Sequence, residues 1–227
     1  MTLVSVGGEP EGQIGTPAQT GTGEVVLVRH GQGECNAAGL IGGRRGCRGL
    51  SEEGRWQSRR LGGRLAKMHA ERAFDVLLCS PRTRVRECAE IIGEQLSQPV
   101  IVVEELAGQE FGVADGQSWV QVTTRFGGPP GHDPDRPIAE GSESWIVYTD
   151  RVLTALAAVL GEHLGQRILV VAHGKTTGLA GGLLSGASDP LAAVAGFIVD
   201  HGSLSHWRQC PEGWDLLVHN DSRHLTE

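Results

Sequence analysis

The stretch from Glu24 to Asn36, EVVLVRHGQGECN, limits what this chain can fold into more than any other. Four apolar residues, Val25 to Val28, lead without a break into Arg29-His30-Gly31. A short apolar run with this β-branched enrichment reads as a buried strand. Arg and His directly after it then stand at the strand's carboxyl end, where open α/β sheets bind their ligands. Gly31 and Gly33 let the backbone turn tightly and approach a ligand closely. The stretch therefore reads as a strand that delivers a cationic pair into a pocket.

The pattern recurs downstream. Phe74 to Cys79, FDVLLC, reads as a second strand running into Ser80-Pro81-Arg82-Thr83-Arg84, and Ile168 to Ala172, ILVVA, as another that ends on His173-Gly174. Val100 to Val103 reads as the strand between them, and Phe197 to Val199, Leu204 to Trp207 and Trp214 to Val218 as later ones. Ser51 followed by Glu52 and Glu53 is a helix start, a cap and then acidic residues in the first turn; Leu61, Leu65 and Met68 continue at helical spacing. Further helices are predicted through Val85, Cys88, Ile92 and Leu96, and from about Thr176 to Leu184. A long amphipathic helix over Ser142 to Leu164 carries Ile146, Val152, Leu156, Val159 and Leu160. This alternation predicts one α/β domain over residues 24–227, a three-layer α/β/α sandwich with a mostly parallel central sheet flanked by helices. Residues 1–23, poor in apolar side chains, read as a flexible tail. Residues 117–140, with Gly127-Gly128-Pro129-Pro130-Gly131, read as an irregular insertion that forms a lid or rim.

Composition narrows the function classes. A net charge of −7 argues against nonspecific nucleic-acid binding. Arg44, Arg45 and Arg48 make one loop locally cationic, which fits a solvated loop and a rim attracting an anionic substrate equally well. No apolar run reaches membrane-spanning length, and the N-terminus lacks a signal-peptide pattern. Five cysteines without a CxxC pair support neither a disulfide framework nor a structural zinc site, so a reducing cytoplasm is the expected compartment.

Three strand ends thus deliver polar groups: Arg29-His30, Ser80 with Arg84, and His173. Each is weak alone; a lone His after a strand is more often structural. Together they suit phosphoryl transfer. Arginine's planar fork grips two phosphate oxygens and stays charged. A neutral imidazole nitrogen can attack phosphorus, and a covalent phosphohistidine divides one difficult displacement into two. A second His can donate to charge developing on the equatorial oxygens.

At this point the chain resembles the histidine phosphatase superfamily, also called the phosphoglycerate-mutase-like family, of the branch 1 type. RHGQGECN, Arg29 to Asn36, is similar to the family's RHGExxxN signature, and GLSEEGRWQS, Gly49 to Ser58, to its L-S/T-x-x-G-x-x-Q segment. SPRTRVRECA, Ser80 to Ala89, GSESW, Gly141 to Trp145, with Arg151 beyond it, VVAHG, Val170 to Gly174, and HGSLSHW with HNDSRHL resemble later family elements in order. The resemblance implies the phosphoglycerate-mutase-like fold, His30 as the nucleophile that becomes phosphorylated, and Arg29, Arg84 and His173 as ligands of the transferring phosphoryl group. It implies contacts to phosphate or substrate from Gly31, Gln32, Asn36, Gly174 and Lys175. It implies no cofactor and no metal, because the arginines supply the positive charge.

The departures fall at Gln32, where the family has Glu, at Gly33, where it has Ser or Thr, and at Lys175, where it has Gly. The largest lies in LAGQEFG, Leu106 to Gly112, where Gly108 holds the position of the family's general-acid Glu. Glu110 is the first candidate to replace it and Asp115 the second; with both as solvated loop acids, water, the substrate or His173 protonates the leaving group. Residues 117–140 offer Arg125 and Arg136 without paired arginines, which favours a phosphomonoester phosphatase over a mutase. The expected substrate is a small phosphorylated metabolite, with Trp119, Phe126 and Trp145 as candidates to line its non-phosphate part. No nucleic acid or membrane partner is expected, and a homodimer is admissible. Two rivals remain: a dinucleotide-binding domain, on the partial glycine pattern of GQGECN, and a non-catalytic phospholigand binder, on the missing Glu and the presence of Lys175.

Overall fold

The computed structural model of the chain describes residues 22–189 and 197–226. The tail read over residues 1–23 lies outside that range for residues 1–21. Strand β1, Glu24–Arg29, sits inside a six-stranded sheet of order β3-β2-β4-β1-β5-β6. The other strands of the sheet are β2 (Val76–Cys79), β3 (Val100–Val102), β4 (Arg167–Ala172), β5 (Leu204–Cys210) and β6 (Gly213–Asp221). Pairing is parallel from β3 to β1 and antiparallel where β5 joins β1 and β6 joins β5.

Successive strand side chains point to opposite faces, and β1 divides the core accordingly. Val25 and Leu27 join the layer built on α5 (Trp145–Glu162) and α6 (Gly174–Leu184). Val26 and Val28 join the layer built on α2 (Glu52–Glu71) and α3 (Thr83–Leu96). All four are essentially inaccessible, and removing a large buried side chain from such a core costs about 2–5 kcal/mol. Helix α2 begins where its sequence predicts: the Ser51 hydroxyl accepts from the Gly54 amide at 3.1 Å. Helix α5 starts at Trp145 rather than Ser142, capped by Ser144. Its buried face begins with Trp145 and Tyr148, while Ile146, expected on that face, is exposed.

Three further differences from the sequence expectation concern short elements. A four-residue helix, α1 (Glu34–Ala37), follows the first strand. The insertion 117–140 contains a helix, α4 (Trp119–Phe126), whose Val122 and Phe126 bury against Ile41, Ala114 and Ile138 as a small separate core. Residues 197–199 form no strand. Both edges of β1 are already taken by β4 and β5, and the Val199 carbonyl accepts instead from Arg29 Nη1 at 2.6 Å. Among the described residues no helix is long and apolar enough to cross a membrane.

Candidate active site

Strand register brings the predicted strand ends together. Arg29 pairs with Ala172 across the parallel β1–β4 ladder, and Cys79 pairs with Val171. His30 and His173 therefore leave β1 and β4 level with each other, and Ser80 leaves the neighbouring β2 one residue lower, level with Ala172. The two imidazoles meet edge to face with centroids 5.4 Å apart. Gly31 follows where backbone crosses backbone: a Cβ there would run into the Gly54 carbonyl, so the turn after His30 needs glycine.

Arg84, in the first turn of α3, ties the two histidines. Its Nε donates to His30 Nε2 at 3.0 Å, its Nη2 to His173 Nδ1 at 3.2 Å, and its Nη1 to the Gly42 carbonyl at 2.8 Å. A guanidinium has donors only, so both contacted ring nitrogens present lone pairs. The protons then lie on the opposite nitrogens. His30 Nδ1 donates to the Gly31 carbonyl at 2.6 Å, and His173 Nε2 donates to Ser80 Oγ at 2.9 Å. Burial pushes the pKa of each ring well below the usual histidine range, and the Arg84 charge depresses both further. Both imidazoles are neutral, and His30 Nε2 is a free-base nitrogen facing the arginine.

Arg29 is held from behind. Its Nη1 binds the Val199 carbonyl, and its Nη2 lies 2.6 Å from His201 Nε2. The His201 ring centroid is 5.7 Å from that of His30. Burial, then the Arg29 charge, lowers the His201 pKa to about 4, which keeps it an acceptor. Sequence reasoning missed this residue; its signal was the HGSLSHW segment, read only as a family ending.

These groups floor a cleft of about 550 Å³. Asn36, Gly174 and Lys175 line it as expected, and so do Trp119 and Trp145. Phe126 instead packs in the small core beneath the insertion, under the Arg136 guanidinium. Gln32 is not among the lining residues: its carboxamide oxygen accepts from Ser51 Oγ at 2.9 Å, bracing the start of α2. The cationic loop contributes Gly42 to the cleft but not Arg44, Arg45 or Arg48.

The expected proton donors stand elsewhere. Glu110 is absent from the cleft lining; its carboxylate pairs with the buried Arg82 at 2.8 Å and with the exposed Arg44 at 3.2 Å. Asp115 accepts the backbone amides of Gly43, Arg45 and Gly46, at 2.7–3.0 Å, and so fastens the loop that carries Gly42. Gly108 lies over His173: a Cβ there would stand 3.1 Å from the ring's Nε2. Its loop is held by Arg82, which donates to the Gly108 carbonyl, and by Arg151, which donates to the Ala107 carbonyl and forks onto Glu143 of the GSESW segment. No carboxylate lines the cleft among the described residues.

Two neutral imidazoles, two guanidiniums and the amide end of α6 converge at the carboxyl ends of a mainly parallel sheet. That combination defines an α/β protein with an electropositive cleft suited to a tetrahedral oxyanion. The chain belongs to the histidine phosphatase superfamily (branch 1), whose family model matches residues 25–222. It is 27% identical over 202 residues to an uncharacterized phosphatase, PhoE, of Bacillus subtilis, covering 89% of this chain and 96% of that protein. It is 33% identical over 156 residues to a metal-independent phosphoserine phosphatase of Arabidopsis thaliana, covering 66% and 64% respectively. The fold superposes on the α-ribazole phosphatase of Shigella flexneri with a TM-score of 0.74 at 23% identity, over 88% of this chain and 96% of that one. The mycobacterial glucosyl-3-phosphoglycerate phosphatase gives 0.71 at 22% identity, over 87% and 98%.

Proposed function

We propose that this chain is a phosphatase that hydrolyses a small phosphorylated metabolite through a phosphohistidine on His30. The observation that carries the reading is the Arg84 bridge, which turns an unprotonated His30 Nε2 toward the same cleft that His173 and Arg29 enter. A phosphomonoester displaces Arg84 from the imidazole nitrogens, and its oxygens take up the guanidinium donors. The His30 Nε2 lone pair then attacks phosphorus. A P–N bond forms, the P–O bond to the leaving group breaks, and the leaving oxygen takes a proton from solvent. Water attacks the phosphohistidine next: its oxygen bonds to phosphorus and returns one proton to solvent, the P–N bond breaks with its electron pair going back to His30 Nε2, and inorganic phosphate leaves with His30 restored. The arginines carry the charge that develops on the equatorial oxygens.

Relatives bearing the names of phosphatases support hydrolysis as the overall reaction. The test is release of nitrophenol from para-nitrophenyl phosphate by the wild type and by His30→Ala. Turnover by the wild type that is lost in His30→Ala is expected. Equal silence of both, with inorganic phosphate still bound, would replace the phosphatase by a phospholigand binder.

A further inference from the structure

We propose that Lys175 is a specificity-determining residue that binds a second anionic group, a carboxylate or a second phosphate, on the leaving-group side of the substrate. The inference rests on the phosphatase reading above and narrows its substrate class.

Lys175 lines the cleft from the first turn of α6, directly after His173 and Gly174. Its side chain is exposed at the wall of the cleft, and its Nζ stands 5.2 Å from the centroid of the Trp145 ring. A cation that lines a ligand cleft is open to an anionic group of the ligand when no protein carboxylate neutralises it. Here no Asp or Glu lines the cleft among the described residues, and Lys175 forms no ion pair there. Partial desolvation and the nearby Arg29 charge lower its pKa from the ordinary lysine value, and an anion placed beside the ammonium offsets both.

The phosphoryl group already has its own donors. Arg84 joins both histidines, Arg29 stands behind His30, and these arginines are prominent among the charges felt by the two catalytic rings. Lys175 lies to the Trp145 side of this cluster. That wall is apolar: Trp145 packs with Tyr148, and Phe111 meets Trp119 edge to face at 5.4 Å across the lining. A leaving group with a ring or other apolar body fits this wall, and a negative charge on that body meets Lys175. A slender, uncharged alcohol leaves the ammonium unmatched.

The experiment measures binding rather than turnover, so that catalysis does not enter. Phenyl phosphate and 4-carboxyphenyl phosphate are titrated calorimetrically into His30→Ala and into the double variants His30→Ala/Lys175→Met and His30→Ala/Lys175→Arg, with melting curves to establish that each is folded. The carboxylated ligand is expected to bind His30→Ala at least about tenfold more tightly than phenyl phosphate. That advantage is expected to fall within about twofold in the Met variant and to survive in the Arg variant. Equal weakening of both ligands by Lys175→Met would assign the ammonium to the transferring phosphate and overturn the inference, as would the absence of any preference in His30→Ala. Either result leaves the phosphatase reading standing. Failure of both ligands to bind folded protein would remove both.

Discussion

Ser80 Oγ stands 2.9 Å from His173 Nε2, and this contact decides which nitrogen of the second imidazole faces the cleft. With its proton directed at Ser80, His173 turns the Nδ1 lone pair to Arg84. The hydroxyl is fully buried at the end of β2, so no water replaces it readily. Ser80→Ala is expected to release the ring, allowing the other tautomer and loosening the Arg84 bridge. A buried donor left unpaired costs about 1–3 kcal/mol, which corresponds to a loss of roughly five- to 150-fold when it falls on the transition state. We expect that loss in kcat with KM little changed, and recovery in Ser80→Thr. A Ser80→Ala enzyme with unaltered kcat would show that the ring is held by Arg84 alone.

Glu110 separates legible chemistry from illegible geometry. From spacing it is the nearest acid to the position that Gly108 vacates, yet its carboxylate is occupied by Arg82 and Arg44. So engaged, the carboxylate does not line the cleft and has no leaving oxygen within reach. Glu110→Gln is therefore expected to change kcat/KM by less than about threefold, with the same dependence on leaving-group basicity as the wild type. Loss of a working general acid would cost ~10²–10⁴, and most for poor leaving groups. A series of substituted phenyl and alkyl phosphates distinguishes the two, and a steep, selective loss would return Glu110 to the acid role.

The difference between what was readable and what was not has a physical basis. Strand ends were readable because β1, β2 and β4 are short, apolar and buried on both faces, and parallel register then fixes where the following residue emerges. His30, Ser80 and His173 needed nothing more to be found together. The side of a loop to which a carboxylate turns is not encoded by spacing. It depends on which cation reaches it first, and Arg82, two residues before Arg84 and itself buried, captures Glu110. Helix α4 escaped notice because the glycines and prolines that follow it dominate the insertion, whereas its own buried face comprises only Val122 and Phe126. His201 escaped because its role is to hold Arg29, a contact across 172 positions that no local pattern announces.

The buried neutral histidines also set how stability responds to acid. In the folded protein His30 and His173 have pKa values well below the usual range, from burial and then Arg84, and His201 is lowered to about 4 by burial and then Arg29. In the unfolded chain each titrates near ~6.5. Between that value and the folded pKa the unfolded state binds more protons, so stability rises with pH across the window and is lost as pH falls. For His30 and His173 this amounts to about 1 kcal/mol each between pH 6.5 and 5.5. Asp221, held low by Arg64 and Arg223, acts only in more acidic solution and does not enter this window. Urea unfolding in phosphate-free buffer at pH 7.5, 6.5 and 5.5 is expected to show a small change over the first step and a fall of about 2 kcal/mol or more over the second. A flat profile between pH 6.5 and 5.5 would mean that these rings take up protons while folded. The free-base nitrogen assigned to His30 would then be lost along with the neutral pair.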